Sequence, residues 1–140
     1  MYMLVSKRTS VTDFNFHLVL VTKYRKEVFT TPEKHDSMVA ILRRIAENKE
    51  VTISHLEVMP DHVHMMISFP PKLAPSDVVK SLKGTSAREW FKLYPETKEA
   101  LWRGHLWTGS FFMSTVGNVS KEIVAEYIEN QIQKSIKKDR

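Results

Sequence analysis

The sequence contains no cysteine among its 140 residues, which excludes disulfides and thiolate metal sites and fits a reducing compartment. It also lacks any apolar run near the roughly 20 residues that a membrane-spanning helix requires. The first residues, MYMLVSKRTS, carry no long apolar region of the kind that directs secretion, so a cytoplasmic protein is expected. Low-complexity linkers and internal repeats are missing as well. Residues 1–140 are therefore expected to form a single domain, long enough to bury a core. Nor is there a heavy excess of one charge. Lys and Arg number 21 against 16 Asp and Glu, a formal net charge of +5, which permits a polyanionic partner without requiring one.

What is present begins with alternation. In TDFNFHLVLVTK (12–23), Phe14, Phe16, Leu18 and Leu20 alternate with Asn15, His17, Val19 and Val21, the pattern of a strand buried mainly on one face. A basic loop, KYRKEVFT, follows. Pro32 after Thr31 opens a helix to about Lys49, with Met38, Ile41, Leu42 and Ile45 as its apolar stripe. VTISHLEVM (51–59) and HVHMMISF read as two strands, joined by a Pro-Asp turn short enough to force an antiparallel hairpin.

After Pro70-Pro71, Ser76 is expected to cap a helix carrying Val78, Val79, Leu82, Ala87, Trp90 and Phe91, with Gly84 a point of weakness or kinking. LWTGSFFMSTV (106–116) is strand-rich. SKEIVAEYIENQIQKSIKK (120–138) reads as a helix capped by Ser120, with Val119 and Val124 at staple spacing. The order βαββαβ plus one helix predicts an α+β fold: a ferredoxin-like, RRM-like antiparallel sheet with helices on one face. Its other face must be covered, or must bind something.

PDHVHMMISF (60–69) bears on that second face. In a strand, His62, His64, Met66 and Ser68 share one side and Val63, Met65, Ile67 and Phe69 the other. The second set is the core side. The two imidazoles are then about 6–7 Å apart at the backbone, close enough to converge on one metal ion. Alone, the pair is better read as an ordinary half-exposed sheet face. On the last helix Tyr127 and Gln131, four residues apart, point the same way. Alone, Tyr127 reads as core, among Ile123, Val124, Ile128 and Ile132, and Gln131 as helix surface. Together, two histidine nitrogens and an amide oxygen can hold an octahedral divalent cation beside a phenol able to attack phosphorus.

These residues carry a resemblance. HVH at 62–64 resembles the histidine-hydrophobic-histidine motif of the HUH endonucleases. HLVLVTKYRKEVF (17–29), LWTGSFFMSTVG (106–117) and EYIENQ (126–131) are similar to the single-tyrosine transposases of insertion sequences that move as single-stranded DNA. The resemblance spans nearly the whole chain, in matching order and spacing.

It implies a metal-dependent transposase that cuts and rejoins single-stranded DNA at hairpin-containing element ends. It makes Tyr127 the nucleophile of a 5′-phosphotyrosine intermediate. It makes His62, His64 and Gln131 ligands of Mg²⁺ or Mn²⁺, with no nucleotide cofactor and no membrane. It further implies a homodimer whose tyrosine helix completes the partner's histidine site. A tyrosine of ordinary pKa, about 10, must lose its proton to attack, and Glu57, Asp61 and a water on the metal are all candidate bases.

Lys23, Arg25, Lys26, Lys83, Arg88 and Arg103 are candidate phosphate contacts, with a solvated surface as the alternative. His17, His35, His55 and His105 have no partner spacing and read as structural or surface residues. Trp90 and Trp107 are expected in the core. Two other readings remain open: a host-domesticated relative acting on repeated genomic hairpins, and a non-catalytic RRM-like module that stacks bases on sheet aromatics.

Overall fold

A computed structural model describes residues 14–101, 104–115 and 125–130. Strand β1 (Phe14–Val21) is followed by a 3₁₀ turn (Lys23–Arg25) and helix α1 (Pro32–Asn48). The hairpin of β2 (Thr52–Met59) and β3 (His62–Phe69) comes next, then α2 (Pro75–Leu93), the short α3 (Pro95–Ala100) and β4 (Phe112–Thr115). Residues 125–130 are helical and are called α4. The four strands form one antiparallel sheet in the order β2-β3-β1-β4, the ferredoxin-like arrangement expected from the element order.

The apolar spacing of the helices explains the first face. Met38, Ile41, Leu42 and Ile45 recur along α1 at one side, and Val78, Val79, Leu82 and Trp90 along α2; all are buried. They pack with Leu18, Leu20, Val63, Met65, Ile67 and Phe69 of the two central strands in one continuous core. Trp90 meets Phe29 edge-on at 5.0 Å and donates from its indole nitrogen to Thr97 Oγ1 at 2.9 Å. Trp107 is also in this core, donating to Ser86 Oγ at 3.0 Å. Thr31 caps α1 by accepting from the Lys34 amide at 3.1 Å.

Several expectations need correction. Helix α2 starts two residues earlier than a Ser76 cap would allow: Ala74 is the N-cap without a side-chain bond, and Pro75 takes the first helical position, where its missing N–H costs nothing. Gly84 does not break this helix, which runs through it to Leu93. Among the described residues of the strand-rich 106–116 segment, only Phe112–Thr115 join the sheet as a strand; Trp107 makes an isolated bridge to Thr22. Strand β1 is buried on both faces in its second half, since Val19 and Val21 are as enclosed as Leu18 and Leu20. The cover on the second face is α4, whose Ile128 packs against Val19 and Val21 beside Phe112 and Tyr127.

Candidate active site on the second sheet face

The turn that delivers the histidine pair is fixed by backbone bonds. Thr22 donates its amide to the Asp61 carbonyl at 3.0 Å, and its hydroxyl lies 3.0 Å from the same oxygen and 2.7 Å from the Lys26 carbonyl. The amides of Val28 and Phe29 both bond the Pro60 carbonyl, at 2.8 and 3.0 Å. The basic loop therefore grips the hairpin turn. To do so the chain passes through left-handed backbone at Tyr24 and Arg25, with φ of 58° and 53°.

Asp61 continues the arrangement through its side chain. One carboxylate oxygen meets the Arg25 Nε, and the other lies 2.8 Å from His62 Nδ1. A carboxylate can only accept, so Nδ1 carries the proton and Nε2 of His62 holds the free lone pair. This is the usual way in which a second residue orients a metal-ligating imidazole. The Arg25 guanidinium also reaches toward Glu129 on α4, at 3.9 Å.

His64 lies one pleat further along, opposite Glu57 on β2 and Val19 on β1. Its Nε2 is 3.2 Å from His17 Nδ1, with the two rings stacked at 5.4 Å. Its Nδ1 is 3.6 Å from Glu57 Oε1. His55 approaches edge-on, its ring 5.8 Å from that of His64, and its Nε2 is 3.6 Å from the same Glu57 oxygen. Burial, and then the charge of His17, pull the His64 pKa below the ordinary histidine value, against an opposing pull from Glu57. The shift favours the neutral form, the state in which imidazole binds a metal.

Tyr127 projects from α4 on this same face. Its ring lies 5.3 Å from Phe112 on β4, and its hydroxyl is 3.4 Å from Ser110 Oγ. Val19 and Val21, whose direct partners on β3 are His64 and His62, are the residues on which α4 rests. The tyrosine helix therefore packs on the two residues directly beside the histidine pair, within one chain. Burial raises the Tyr127 pKa above the ordinary phenol value, and the Ser110 hydrogen bond opposes this more weakly. Gln131 lies outside the described residues, as do Arg103 and the segment with Ser120.

The candidate phosphate contacts divide. Lys26 is exposed on the loop, Lys23 is half-buried with its ammonium 5.3 Å from the Tyr24 ring, and Arg88 bonds Thr85 Oγ1 at 3.3 Å on the exposed side of α2. Arg25 is committed to Asp61, and Lys83 donates to the Thr108 carbonyl at 2.8 Å, with burial lowering its pKa. His17 and His55, which carry no sequence spacing of note, prove to be neighbours of His64. Aromatic stacking on the sheet is disfavoured: on this face the two central strands present Asn15, His17, Val19 and Val21, and His62, His64, Met66 and Ser68. Phe16 instead stacks on Phe69 at 5.6 Å, on the core side.

Comparison with known proteins gives a consistent result. A family described as "Transposase IS200 like" matches residues 10–131. The ISDra2 transposase TnpA of Deinococcus radiodurans is 42% identical over 127 residues, covering 91% of this chain and 90% of that protein. The transposase for insertion sequence element IS200 of Salmonella typhimurium is 31% identical over 118 residues, covering 84% of this chain and 76% of that protein. A crystal structure of a proposed transposase from Deinococcus radiodurans superposes with a TM-score of 0.82 at 38% identity, covering 91% of this chain and 98% of that one. A REP-associated tyrosine transposase bound to a REP hairpin shares the fold alone, with a TM-score of 0.55 at 12% identity over 96% of this chain and 74% of that one.

Proposed function

The chain belongs to the family of IS200-like insertion-sequence transposases, and from that premise we propose that it cuts and rejoins single-stranded DNA at hairpin-containing element ends by tyrosine chemistry. The observation that carries this reading is the placement of α4. Tyr127 is set on the sheet face that presents His62 and His64, on the two valines paired with them.

In the proposed reaction the Tyr127 oxygen attacks the scissile phosphorus. A new oxygen–phosphorus bond forms, the 3′-oxygen leaves with a proton, and the DNA end remains as a 5′-phosphotyrosine. Attack by another strand's 3′-hydroxyl on that linkage reverses the bond exchange and returns the tyrosine. His62, His64 and Gln131 are the residues that would hold Mg²⁺ or Mn²⁺. The two histidines fit such an ion, since Asp61 leaves His62 its Nε2 lone pair and the lowered pKa of His64 favours its neutral form. A divalent cation bound there supplies Lewis-acid polarisation of a phosphate oxygen. The protein's own part is to orient the imidazoles, to set the phenol on the same face and to bind the DNA backbone.

Lys23 and Lys26 on the turn-gripping loop are the proposed backbone contacts, joined by Arg88 and Arg103. Residues 1–140 act in this reading as one domain, working on cytoplasmic DNA. The active form is proposed to be a homodimer in which the tyrosine helix completes the histidine site of the partner subunit. The contact from Arg25 to Glu129 at 3.9 Å, with Glu129 well exposed, is a tether weak enough to release α4 for that exchange.

The test is a denaturing gel with end-labelled single-stranded hairpin DNA from the flanks of the gene. Wild type and Tyr127→Phe are compared with Mg²⁺ and with EDTA. A covalent protein–DNA band is expected only for wild type with metal. An undiminished band in Tyr127→Phe would sink the tyrosine chemistry.

A further inference from the structure

The proposed transposase site uses His62 and His64 with Gln131; it leaves His55, Glu57 and His17 unassigned. These three lie around His64 on the sheet face, with His55 and Glu57 exposed, and their donor atoms are already gathered. His55, Glu57 and His64 offer one ligand atom each, all within 4.8 Å of one another. The two histidine-to-carboxylate separations are both 3.6 Å. Ligands on a tetrahedral zinc-sized ion at about 2.0–2.1 Å stand about 3.3 Å apart, so closing on a cation needs movements of tenths of an ångström for these two pairs.

Sheet geometry accounts for the gathering. Glu57 is the direct cross-strand partner of His64, and the register shift between Ile53 and His55 brings His55 onto the same face, opposite Met66. His17 stands behind, its Nδ1 at 3.2 Å from His64 Nε2. If His64 donates from Nε2 to His17, its Nδ1 becomes a lone pair aimed at the Glu57 and His55 side. A ligand histidine is ordinarily held by a hydrogen bond from its other ring nitrogen, and here the acceptor within reach is His17 Nδ1.

We infer that His55, Glu57 and His64, supported by His17, form a second cation site selective for imidazole-seeking ions of the Zn²⁺ class. Two imidazoles and one carboxylate, with a position left open, suit Zn²⁺ or Co²⁺ far better than Mg²⁺, which prefers oxygen ligands. The site draws on Nδ1 of His64 while Nε2 is occupied by His17. Occupation therefore withdraws His64 from the pair it makes with His62, so a Zn²⁺-class ion at this site opposes the Mg²⁺-supported reaction. That opposition rests on the proposed function; the binding does not.

The test uses the full chain without DNA, stripped with chelator and titrated with Co²⁺, whose visible absorption reports low-coordinate nitrogen and oxygen ligation. The His62→Ala background removes the transposase pair from consideration. In it, one equivalent of Co²⁺ is expected to bind, and adding His55→Ala should weaken that binding at least tenfold. His17→Ala should weaken it about 10–100-fold as a supporting residue. His55 is exposed on an edge strand, and His55→Gln serves as a second variant with its shape preserved. Equal binding with and without His55, or no binding in His62→Ala, overturns the inference. Either failure leaves covalent attachment through Tyr127 untouched, since no DNA is present in the titration.

Discussion

Asp61 holds His62 by its Nδ1 at 2.8 Å, and this one contact decides which nitrogen of His62 faces outward. The carboxylate is itself fixed, its other oxygen on Arg25 and its backbone carbonyl on Thr22. The turn between β2 and β3 is thus a device for aiming an imidazole. A mutation at Asp61 should act on metal use before it acts on folding.

Asp61→Asn is expected to raise the Mn²⁺ concentration needed for covalent attachment about 10–100-fold, in line with the loss of a residue that orients a ligand. Attachment should recover at high Mn²⁺. Adduct yield plotted against metal concentration checks this. An unchanged metal requirement would show that His62 needs no such orientation.

Arg25→Ala leaves the Asp61 carboxylate, only 14% exposed, without its cation. Loss of a charged hydrogen bond there should lower stability by about 1–3 kcal/mol, read from urea midpoints. Glu129→Gln should change stability by less than about 1 kcal/mol, because that partner is well exposed and 3.9 Å distant. Comparable losses in both variants would mean that the α4 tether, and not the grip on Asp61, is the larger contribution of Arg25.

Gly84→Ala should stabilise the protein. Helix α2 continues through this exposed position, and a β-carbon there would meet nothing within 4 Å. Alanine loses less backbone freedom on folding than glycine, which favours the variant by about 0.5–1 kcal/mol. Thermal unfolding would detect the gain. A loss would mean that DNA-free α2 relies on bending at Gly84.

The parts legible in the sequence are those set by local spacing. The two-residue turn at Pro60-Asp61 fixes Met59 opposite His62 and, by counting, Glu57 opposite His64. The apolar stripe of α1 and the alternation in β3 give the core face directly. His17 was not legible as a neighbour of His64, because 47 residues separate them and only the β1–β3 register joins them. His55 reaches the cluster through a register shift at the edge strand, which alternation alone does not foresee. Burial of Val19 and Val21 depends on α4 returning to the sheet from far along the chain, which alternation within β1 does not show.

Tyr127 should make both stability and rate depend on alkaline pH, in opposite directions. Burial raises its pKa in the folded protein above the ordinary value of about 10, with Ser110 opposing. A group whose folded pKa is raised binds its proton more tightly when folded. Its stabilising contribution is therefore complete below about pH 10 and is lost as pH climbs through the folded value. Tyr127→Phe, which cannot ionise, should show a shallower alkaline decline in its urea midpoint than wild type. In the proposed reaction, attachment to DNA needs the phenol to lose its proton, so its rate should rise with pH from neutrality with no plateau set by free tyrosine. Ser110→Ala removes the contribution that favours ionisation and should slow attachment at any fixed pH below the folded pKa. Single-turnover rates across pH for wild type and Ser110→Ala, with metal saturating, measure this. A rate independent of pH would mean that proton removal from Tyr127 is not part of the slow step.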